Sequence, residues 1–160
     1  MSTAFVPAKP EEAHLLSEFR QKVWATTYRG IYPDELIDNF DFESHDARNL
    51  AWINSDEYLV FFITENGEKA GYLILQRQNP LYVQSLYLLS GFRGKGIGKA
   101  AFAFIRSFCK KNGIEEFYLG CHPQNEKALG FYQKMGGKIT ARDEGHKNNR
   151  ENNVKIEFKA

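Results

Sequence analysis

The chain has 160 residues, of which 42% are hydrophobic and 14% aromatic, a composition that suits one globular domain and excludes a disordered chain. Lys and Arg (21) nearly balance Asp and Glu (20), so the net charge of +1 lacks the basic excess of a nucleic-acid-binding protein. The N-terminal stretch does not resemble a signal peptide and no apolar run reaches about 18 residues, so we expect a cytoplasmic protein with no membrane segment. Cys109 and Cys121 are expected to be buried thiols, because their spacing suits neither a redox pair nor a metal site.

Hydrophobic periodicity and turn residues predict an alternation of helices and strands along the whole chain. In chain order the patterns are a strand (4–8), a helix (10–30), a short helix near 33, a helix (47–53), three strands (58–64, 70–75, 81–89), a helix (96–113), a strand (116–121), a helix (125–135) and two strands (138–141, 154–158). The Asn66-Gly67 pair is typical of a tight hairpin. The apolar face of the 96–113 helix is expected to carry five residues: Ile97, Ala101, Phe104, Ile105 and Phe108. The second half therefore predicts an α/β arrangement with at least one parallel crossover.

A glycine-rich basic segment, GFRGKGIGKA at residues 91–100, separates the strand at 81–89 from the following helix. The first N–H groups of a helix have no intrahelical partner, and glycines let the backbone approach an anion closely, so the segment predicts a phosphate site. A Walker A loop is excluded because Ala100 follows Lys99 where Ser or Thr is needed. A dinucleotide fingerprint lacks its acidic residue, since the next strand ends in Cys121-His122-Pro123. A tight turn with solvated charges is the remaining structural alternative.

The segment Arg93-Gly94-Lys95-Gly96-Ile97-Gly98 resembles the Arg/Gln-x-x-Gly-x-Gly/Ala loop of the GNAT superfamily of acetyl-CoA-dependent N-acetyltransferases. The segment NEKALGFYQKMGGK at 125–138 is similar to the next motif of that family, and 23–36 is similar to its helical segment before the sheet. The resemblance implies one N-acetyltransferase domain over residues 1–160. It also implies an α/β (α+β) fold, in which helices flank a mixed, mostly antiparallel sheet with a splayed parallel strand pair.

The resemblance also implies a binding site for acetyl-CoA and no need for a metal. Its pyrophosphate would lie on the loop, its pantetheine arm would pair with the preceding strand, and two residues of the next motif would support them. The implied loop residues are Arg93, Gly94, Lys95, Gly96, Ile97, Gly98 and Lys99. The implied strand residues are Leu86, Tyr87 and Leu88, and the implied residues of the next motif are Asn125 and Lys127. Asn125 also suits a helix N-cap, and Lys127 a solvated position. Tyr132 is the implied general acid for the leaving thiolate, the alternative being a core tyrosine.

The acceptor and its base are less defined by the pattern. Trp24, Tyr28 and Tyr32, near Asp34 and Glu35, suit a cationic amine, although helix packing would use similar aromatic residues. Many relatives carry a strand glutamate as base, but the corresponding residue is Gln84, which leaves a water chain, an acid such as Asp34 or Glu35, or His122.

Three functions remain open at this point. The leading hypothesis is acetyl transfer to a small-molecule or peptide primary amine by direct attack in a ternary complex. The alternatives are an inactive CoA-binding sensor module and a nucleotide-binding oxidoreductase. By analogy with relatives, a homodimer would pair the strand at 154–158 across its interface.

Overall fold

The structure, a computed structural model, describes residues 2–160. Seven strands form one sheet in the spatial order β1-β2-β3-β4-β5-β7-β6. Their bounds are β1 Thr3–Pro7, β2 Tyr58–Glu65, β3 Glu68–Gln76, β4 Leu81–Leu88, β5 Glu116–Cys121, β6 Lys138–Asp143 and β7 Asn153–Lys159. The helices are α1 Ala13–Thr27, α2 Asp34–Asp38, α3 Phe42–Ile53, α4 Ile97–Lys111 and α5 Glu126–Lys134. Among these strands β4 and β5 are the parallel pair and the other neighbours are antiparallel, which confirms the expected fold class.

Most predicted elements are present, with shifts at their ends. The hairpin between β2 and β3 turns at Asn66 and Gly67, both at positive φ (52° and 82°), as a tight turn requires. Helix α3 begins five residues before the expected 47, because the side chain of Asp41 caps it by accepting a hydrogen bond from the backbone N–H of Ser44 at 3.1 Å. Strand β7 pairs with β5 on one side and β6 on the other, so the expectation that it pairs across a dimer interface is wrong.

The sheet buries both of its faces, because successive side chains of a strand point to opposite sides. On β3, Leu73 and Leu75 pack in the cluster that includes α4, whereas Tyr72 and Ile74 pack in the cluster that includes α1. The buried face of α4 differs from the expected one: Phe102 and Cys109 are fully buried, while Phe104 and Phe108 are only partly so. The expected burial of both cysteine thiols is confirmed.

The parallel pairing of β4 with β5 is short. It joins Leu81, Tyr82 and Val83 to three residues of β5, although β4 continues to Leu88 and β5 to Cys121. Gln84 lies at an irregularity in the β3–β4 register, where Ile74 pairs with Ser85 but Leu75 pairs with Val83. Such a bulge bends a strand and redirects its side chains. The last five residues of β4 therefore diverge from β5, as a splayed strand pair requires.

A close backbone approach holds the end of β4 against β3. Gly71 pairs with Leu88, and a Cβ atom at residue 71 would lie 2.1 Å from the carbonyl oxygen of Tyr87 and 3.0 Å from Cα of Leu88. Only glycine fits a backbone contact of this kind.

The side chains that join α1 to α3 form a buried polar network. The guanidinium of Arg20 donates to Oδ1 of Asn49 at 3.0 Å and to Nδ1 of His45 at 3.3 Å. Asn49 in turn donates to the carbonyl oxygen of Ala13 at 3.0 Å and to the hydroxyl of Ser17 at 2.9 Å. Because most of these polar atoms are paired, the network fixes how the two helices sit over the sheet.

Replacement of Gly71 by alanine tests the close contact. We expect Gly71→Ala to destabilise the protein by at least about 2 kcal/mol, because its methyl group overlaps backbone atoms that have no room to shift. Gly130→Ala is the matched control: residue 130 lies in helix α5 with no atom within 4 Å of the added Cβ, so it should stabilise by about 0.5–1 kcal/mol. Urea unfolding measures both, and equal stability of Gly71→Ala and the wild type would contradict the assignment.

The pH dependence of stability tests the network. Burial, followed by repulsion from Arg20 and Arg48, lowers the pKa of His45 to about 4 from its ordinary 6.5. As the pH is lowered from 6.5 to 4, the unfolded chain therefore takes up a proton that the folded chain does not. The free energy of unfolding accordingly decreases as the pH is lowered. Relative to His45→Gln, which keeps an acceptor but does not titrate, the wild type should lose about 2 kcal/mol between pH 7 and 4.5. If the free energies of unfolding of the wild type and His45→Gln change with pH in parallel, His45 does not have the lowered pKa.

Candidate active site

The turn between β4 and α4 leaves the helix N-terminus open. Gly94 (φ 75°) and Gly96 (φ 82°) adopt left-handed backbone conformations, and Gly96 is the N-cap of α4. A Cβ atom at either residue would meet nothing within 4 Å, so the dihedral angle, not crowding, calls for glycine. Because the first intrahelical bond from this N-cap is Ala100 N–H to the Gly96 carbonyl, the preceding N–H groups point away from the helix. The turn is thus built to receive an anion.

Gly98 has a different reason to be glycine. A Cβ atom there would lie 2.8 Å from the ring tip of Phe131, so the residue allows α4 and α5 to pack closely. This contact places the beginning of α4 beside the helix that carries Tyr132. Ile97 is fully buried beneath the turn and anchors it to the core.

The basic side chains of the loop are in different situations. Arg93 donates to the hydroxyl of Thr27 at 2.8 Å and to the carbonyl oxygen of Leu88 at 3.2 Å, which ties the loop to α1 and to the end of β4. Lys95 lies 5.5 Å from the centre of the Phe92 ring. Lys99 and Lys127 are exposed. The loop therefore has one arginine used for positioning and two exposed lysines, with the exposed Lys127 of α5 as a third.

Beyond Val83, β4 is paired on one side only. Leu86, Tyr87 and Leu88 pair with β3, whereas no β5 residue is paired with them. An extended chain placed in the gap could therefore bond to this edge as an added strand does.

Two further candidate site residues, Asn125 and Tyr132, are at the N-cap of α5 and within that helix. Asn125 caps the helix by accepting a hydrogen bond from Ala128 N–H at 3.4 Å, which confirms the expected N-cap. Phe131 and Tyr132 both pack on Phe102, with ring centres 5.7 and 6.1 Å away. The hydroxyl of Tyr132 makes no hydrogen bond within residues 2–160, and burial raises its pKa, with a further contribution from Cys121.

The three aromatic residues near the end of α1 form a wall. The rings of Tyr28 and Tyr32 stack at 4.2 Å, and Trp24 meets Tyr32 edge-on at 5.4 Å. Tyr28 is joined to Tyr87 of β4 by a hydroxyl–hydroxyl hydrogen bond of 2.9 Å. Burial raises the pKa of both hydroxyls, followed by repulsion from Tyr32 for Tyr28 and from Tyr28 for Tyr87, so neither tyrosine is a base at neutral pH. The wall packs the helix and also borders a pocket.

That pocket has a volume of about 150 Å³ and lies between α1, α3, the bulge of β4 and the turn between β6 and β7. Gln84 lines it and accepts a hydrogen bond from the hydroxyl of Ser85. The lining residues are Arg20, Trp24, Tyr32, His45, Arg48, Trp52, Tyr72, Gln84, Ser85, Tyr87 and Arg150. They include three arginines and no carboxylate.

The residues that the sequence offered as bases lie outside the pocket, and most of them have other partners. Asp34 and Glu35 are exposed on α2, and Asp34 pairs with Arg29 at 3.2 Å. His122 donates from Nε2 to the carbonyl oxygen of Asn149 at 2.7 Å and accepts the N–H of Gln124 on Nδ1 at 3.1 Å. Because both ring nitrogens are used, the geometry favours a structural histidine over a base.

Sequence reasoning missed four of the pocket's polar residues, namely Arg20, His45, Arg48 and Arg150. The one available signal was Arg20, which interrupts the apolar stripe of α1 four residues after Leu16 and four before Trp24.

Other features of residues 2–160 do not suggest a second reactive site. A wider cavity of about 320 Å³ lies between the β3–β4 turn and the end of α4, and it holds one ionisable side chain, that of Arg77. Residues 2–160 contain no cluster of three or more His, Cys, Asp or Glu side chains able to hold a metal. None of the helices in this range is long and apolar enough to cross a bilayer.

Comparison with known proteins identifies the family. The acetyltransferase (GNAT) family model matches residues 18–137. The spermidine N(1)-acetyltransferase of Thermoplasma acidophilum is 30% identical over 139 residues, which cover 83% of this chain and 86% of that protein.

Solved structures agree. The PaiA N-acetyltransferase of Thermoplasma acidophilum in complex with coenzyme A superposes with a TM-score of 0.83 at 25% identity over 100% of both chains. RimL, the ribosomal L7/L12 alpha-N-protein acetyltransferase in complex with coenzyme A, shares the fold with a TM-score of 0.76 at 15% identity, over 99% of this chain and 94% of that one. The chain therefore belongs to the acetyltransferase (GNAT) family, and its activity is that of an acyltransferase that uses acetyl-CoA.

Proposed function

We propose that residues 1–160 form one N-acetyltransferase domain in which a primary amine attacks acetyl-CoA directly while both are bound. The observation that carries this proposal is the divergence of β4 from β5, with an open helix N-terminus after β4 and Tyr132 on the helix that packs against that terminus. The location is proposed to be the cytoplasm, where free thiols such as Cys109 and Cys121 persist.

The features of the gap fit the donor. The N–H groups of residues 94–99 would hold the diphosphate, with Lys95, Lys99 and Lys127 adding positive charge. Residues 86–88 would pair with the pantetheine amides, and Asn125, whose Nδ2 has no partner within residues 2–160, would donate to them. Arg93 contributes indirectly, by holding the loop in place. When bound, acetyl-CoA supplies a thioester carbon for attack and a sulfur that leaves.

Tyr132 would give its proton to the departing sulfur. Its raised pKa keeps the phenol protonated at neutral pH. The neighbouring thiol of Cys121 indicates how basic a thiolate would be in this place, because burial raises its pKa to about 12. A sulfur leaving into the same surroundings would therefore be a stronger base than a thiolate in water, which offsets part of the rise in the pKa of the buried phenol. The same burial keeps Cys121 a thiol, which argues against a covalent acyl-cysteine route.

No carboxylate lines the pocket to deprotonate the amine. The charges of the pocket must therefore favour the neutral amine over the ammonium form. Arg20, Arg48 and Arg150 line the pocket, and positive charges nearby lower the pKa of an ammonium group. We propose that the amine loses its proton to solvent through the pocket mouth. Gln84 would then accept a hydrogen bond from the neutral amine.

Substitution of Tyr132 tests the acid. Tyr132→Phe should lower kcat about ten-fold or more and leave the Kd of acetyl-CoA nearly unchanged, because the ring keeps its packing and only the proton donor is lost. Thiol release with saturating amine measures kcat, and calorimetry measures the Kd. Tyr118→Phe, on β5 away from the gap, is the matched control. Unchanged kcat in Tyr132→Phe would remove the residue from this role.

A pair of loop variants tests the donor site. Acetyl-CoA at 100 times its Kd should raise the Tm by about 5–10 °C, corresponding to about 2.7 kcal/mol, whereas NAD should not. Gly94→Asp should abolish most of this shift, because it adds a carboxylate where the diphosphate would bind. Gly94→Asn, which adds a side chain of the same size at the same left-handed residue (φ 75°) but no charge, is the matched control and should retain more of the shift.

The outcomes separate the alternatives. Equal shifts in Gly94→Asp and the wild type would place the diphosphate elsewhere. A shift with NAD and none with acetyl-CoA would favour the oxidoreductase, and acetyl-CoA binding without thiol release on any amine would favour the inactive sensor.

A further inference from the structure

The pocket beside β4 holds more positive charge than its surroundings account for. Arg20 is buried, with 6% of its surface exposed, and Arg48 and Arg150 stand at the rim. None of the three is within salt-bridge distance of a carboxylate of residues 2–160, although Arg29 and Arg142 each are. Most of the chain's charges balance, for a net charge of +1, so this local excess is not a general property of its surface.

The protein holds these guanidinium groups with neutral partners. Arg20 and Arg48 donate to the same ring nitrogen of His45, at 3.3 and 3.4 Å, so that nitrogen carries no proton. Both lie near the ring of Trp52, at 5.8 and 5.7 Å from its centre. Arg150 lies 5.1 Å from the centre of Trp24. Aromatic rings and a neutral imidazole orient guanidinium groups without neutralising them.

A second, independent observation points into the same pocket. Tyr72 is fully buried, and its hydroxyl has no hydrogen-bond partner in the protein. Arg20 is the nearest guanidinium, 5.4 Å from the ring centre, but its geometry falls short of a hydrogen bond to the hydroxyl. Burial accordingly raises the pKa of this phenol despite that neighbour. A buried hydroxyl without a partner is unfavourable, and an anionic oxygen in the pocket would accept its proton in a hydrogen bond.

We infer that the acceptor is a primary amine that also carries an oxyanion, a carboxylate or a phosphate, and that Arg20, Arg48, Arg150 and Tyr72 bind this group. The inference rests on the proposed function for the amine but not for the anion. The pocket volume of about 150 Å³ is smaller than the roughly 300–1,000 Å³ of pockets for drug-sized ligands, so it suits the charged end of a compact acceptor. A polyamine suits it poorly, because no carboxylate lines the pocket to pair with a second ammonium group.

Matched pairs of amines test the inference with the full chain and acetyl-CoA. Each pair differs in one anionic group: glycine and glycinamide for a carboxylate, phosphoethanolamine and ethanolamine for a phosphate, with spermidine as the cationic competitor. In at least one pair the anionic amine should have a kcat/KM at least ten-fold higher than its neutral counterpart and higher than spermidine. The pair that shows the preference identifies the oxyanion. No preference in either pair, or spermidine as the best acceptor, would overturn the inference.

Two variants locate the effect. Arg150→Gln, at the exposed rim, should raise the KM of the anionic amine at least five-fold and narrow the difference within the pair, with kcat changed less. Arg142→Gln, at an exposed residue outside the pocket, should leave the preference intact. An equal preference in both variants would overturn the assignment to this pocket.

A binding measurement keeps this result separate from failure of the proposed reaction. If no amine releases thiol, calorimetry of the same pairs against the CoA complex still decides: tighter binding of the anionic member, weakened in Arg150→Gln, supports the oxyanion site while the acyl-transfer proposal fails. Equal binding of both members would overturn the inference whether or not turnover is observed.

Discussion

The separation of β4 from β5 after three paired residues is the constraint on which the rest of the site depends. Parallel strands that stay paired leave no backbone groups for a ligand, whereas here the end of β4 is bonded to β3 alone. Two contacts keep the strand from closing the gap. The backbone of Gly71 on β3 packs directly against the end of β4, and Arg93 hydrogen-bonds both to the last carbonyl oxygen of β4 and to Thr27 of α1. The open edge is therefore held in place by the fold, and the bulge at Gln84 turns side chains of the same strand toward the pocket beside β4.

The two proposed anion sites both adjoin this strand, one at the turn that follows it and one at its bulge, and they differ in physical type. The turn at 93–99 offers backbone N–H groups and a helix dipole, which suit a diphosphate and need glycine for their dihedral angles. The pocket offers guanidinium groups oriented by aromatic rings and a neutral histidine, which suit a planar or tetrahedral oxyanion. We propose the first for the diphosphate of the donor and the second for the anion of the acceptor.

The sequence predicted the features that are specified by neighbouring residues. It missed those in which side chains from distant parts of the chain come together. The glycine loop, the hairpin at Asn66-Gly67 and the N-cap at Asn125 are each specified within about ten residues, and the structure has them in place. Arg20, Arg48 and Arg150 come from α1, α3 and the turn before β7, and no local spacing connects them. The roles of Gly98 and His122 likewise depended on partners distant in sequence, namely Phe131 and Asn149. Resemblance assigned Gly98 to the donor and titration range made His122 a candidate base, while packing and hydrogen bonding supply a structural reason for each.

The proposed acceptor has to reconcile a neutral amine with a bound anion in one small pocket. An oxyanion would cancel one or two of the three guanidinium charges and so weaken the field that lowers the ammonium pKa. A monoanion leaves a net positive charge, and once the amine has lost its proton through the mouth, the bound acceptor displaces water that would stabilise the ammonium form. Both effects still favour the neutral amine. In the proposed reaction the arginines therefore act twice, first by fixing the acceptor through its anion and then by disfavouring the protonated nitrogen, so that a pocket with glutamine in place of the usual strand glutamate does not need a carboxylate base.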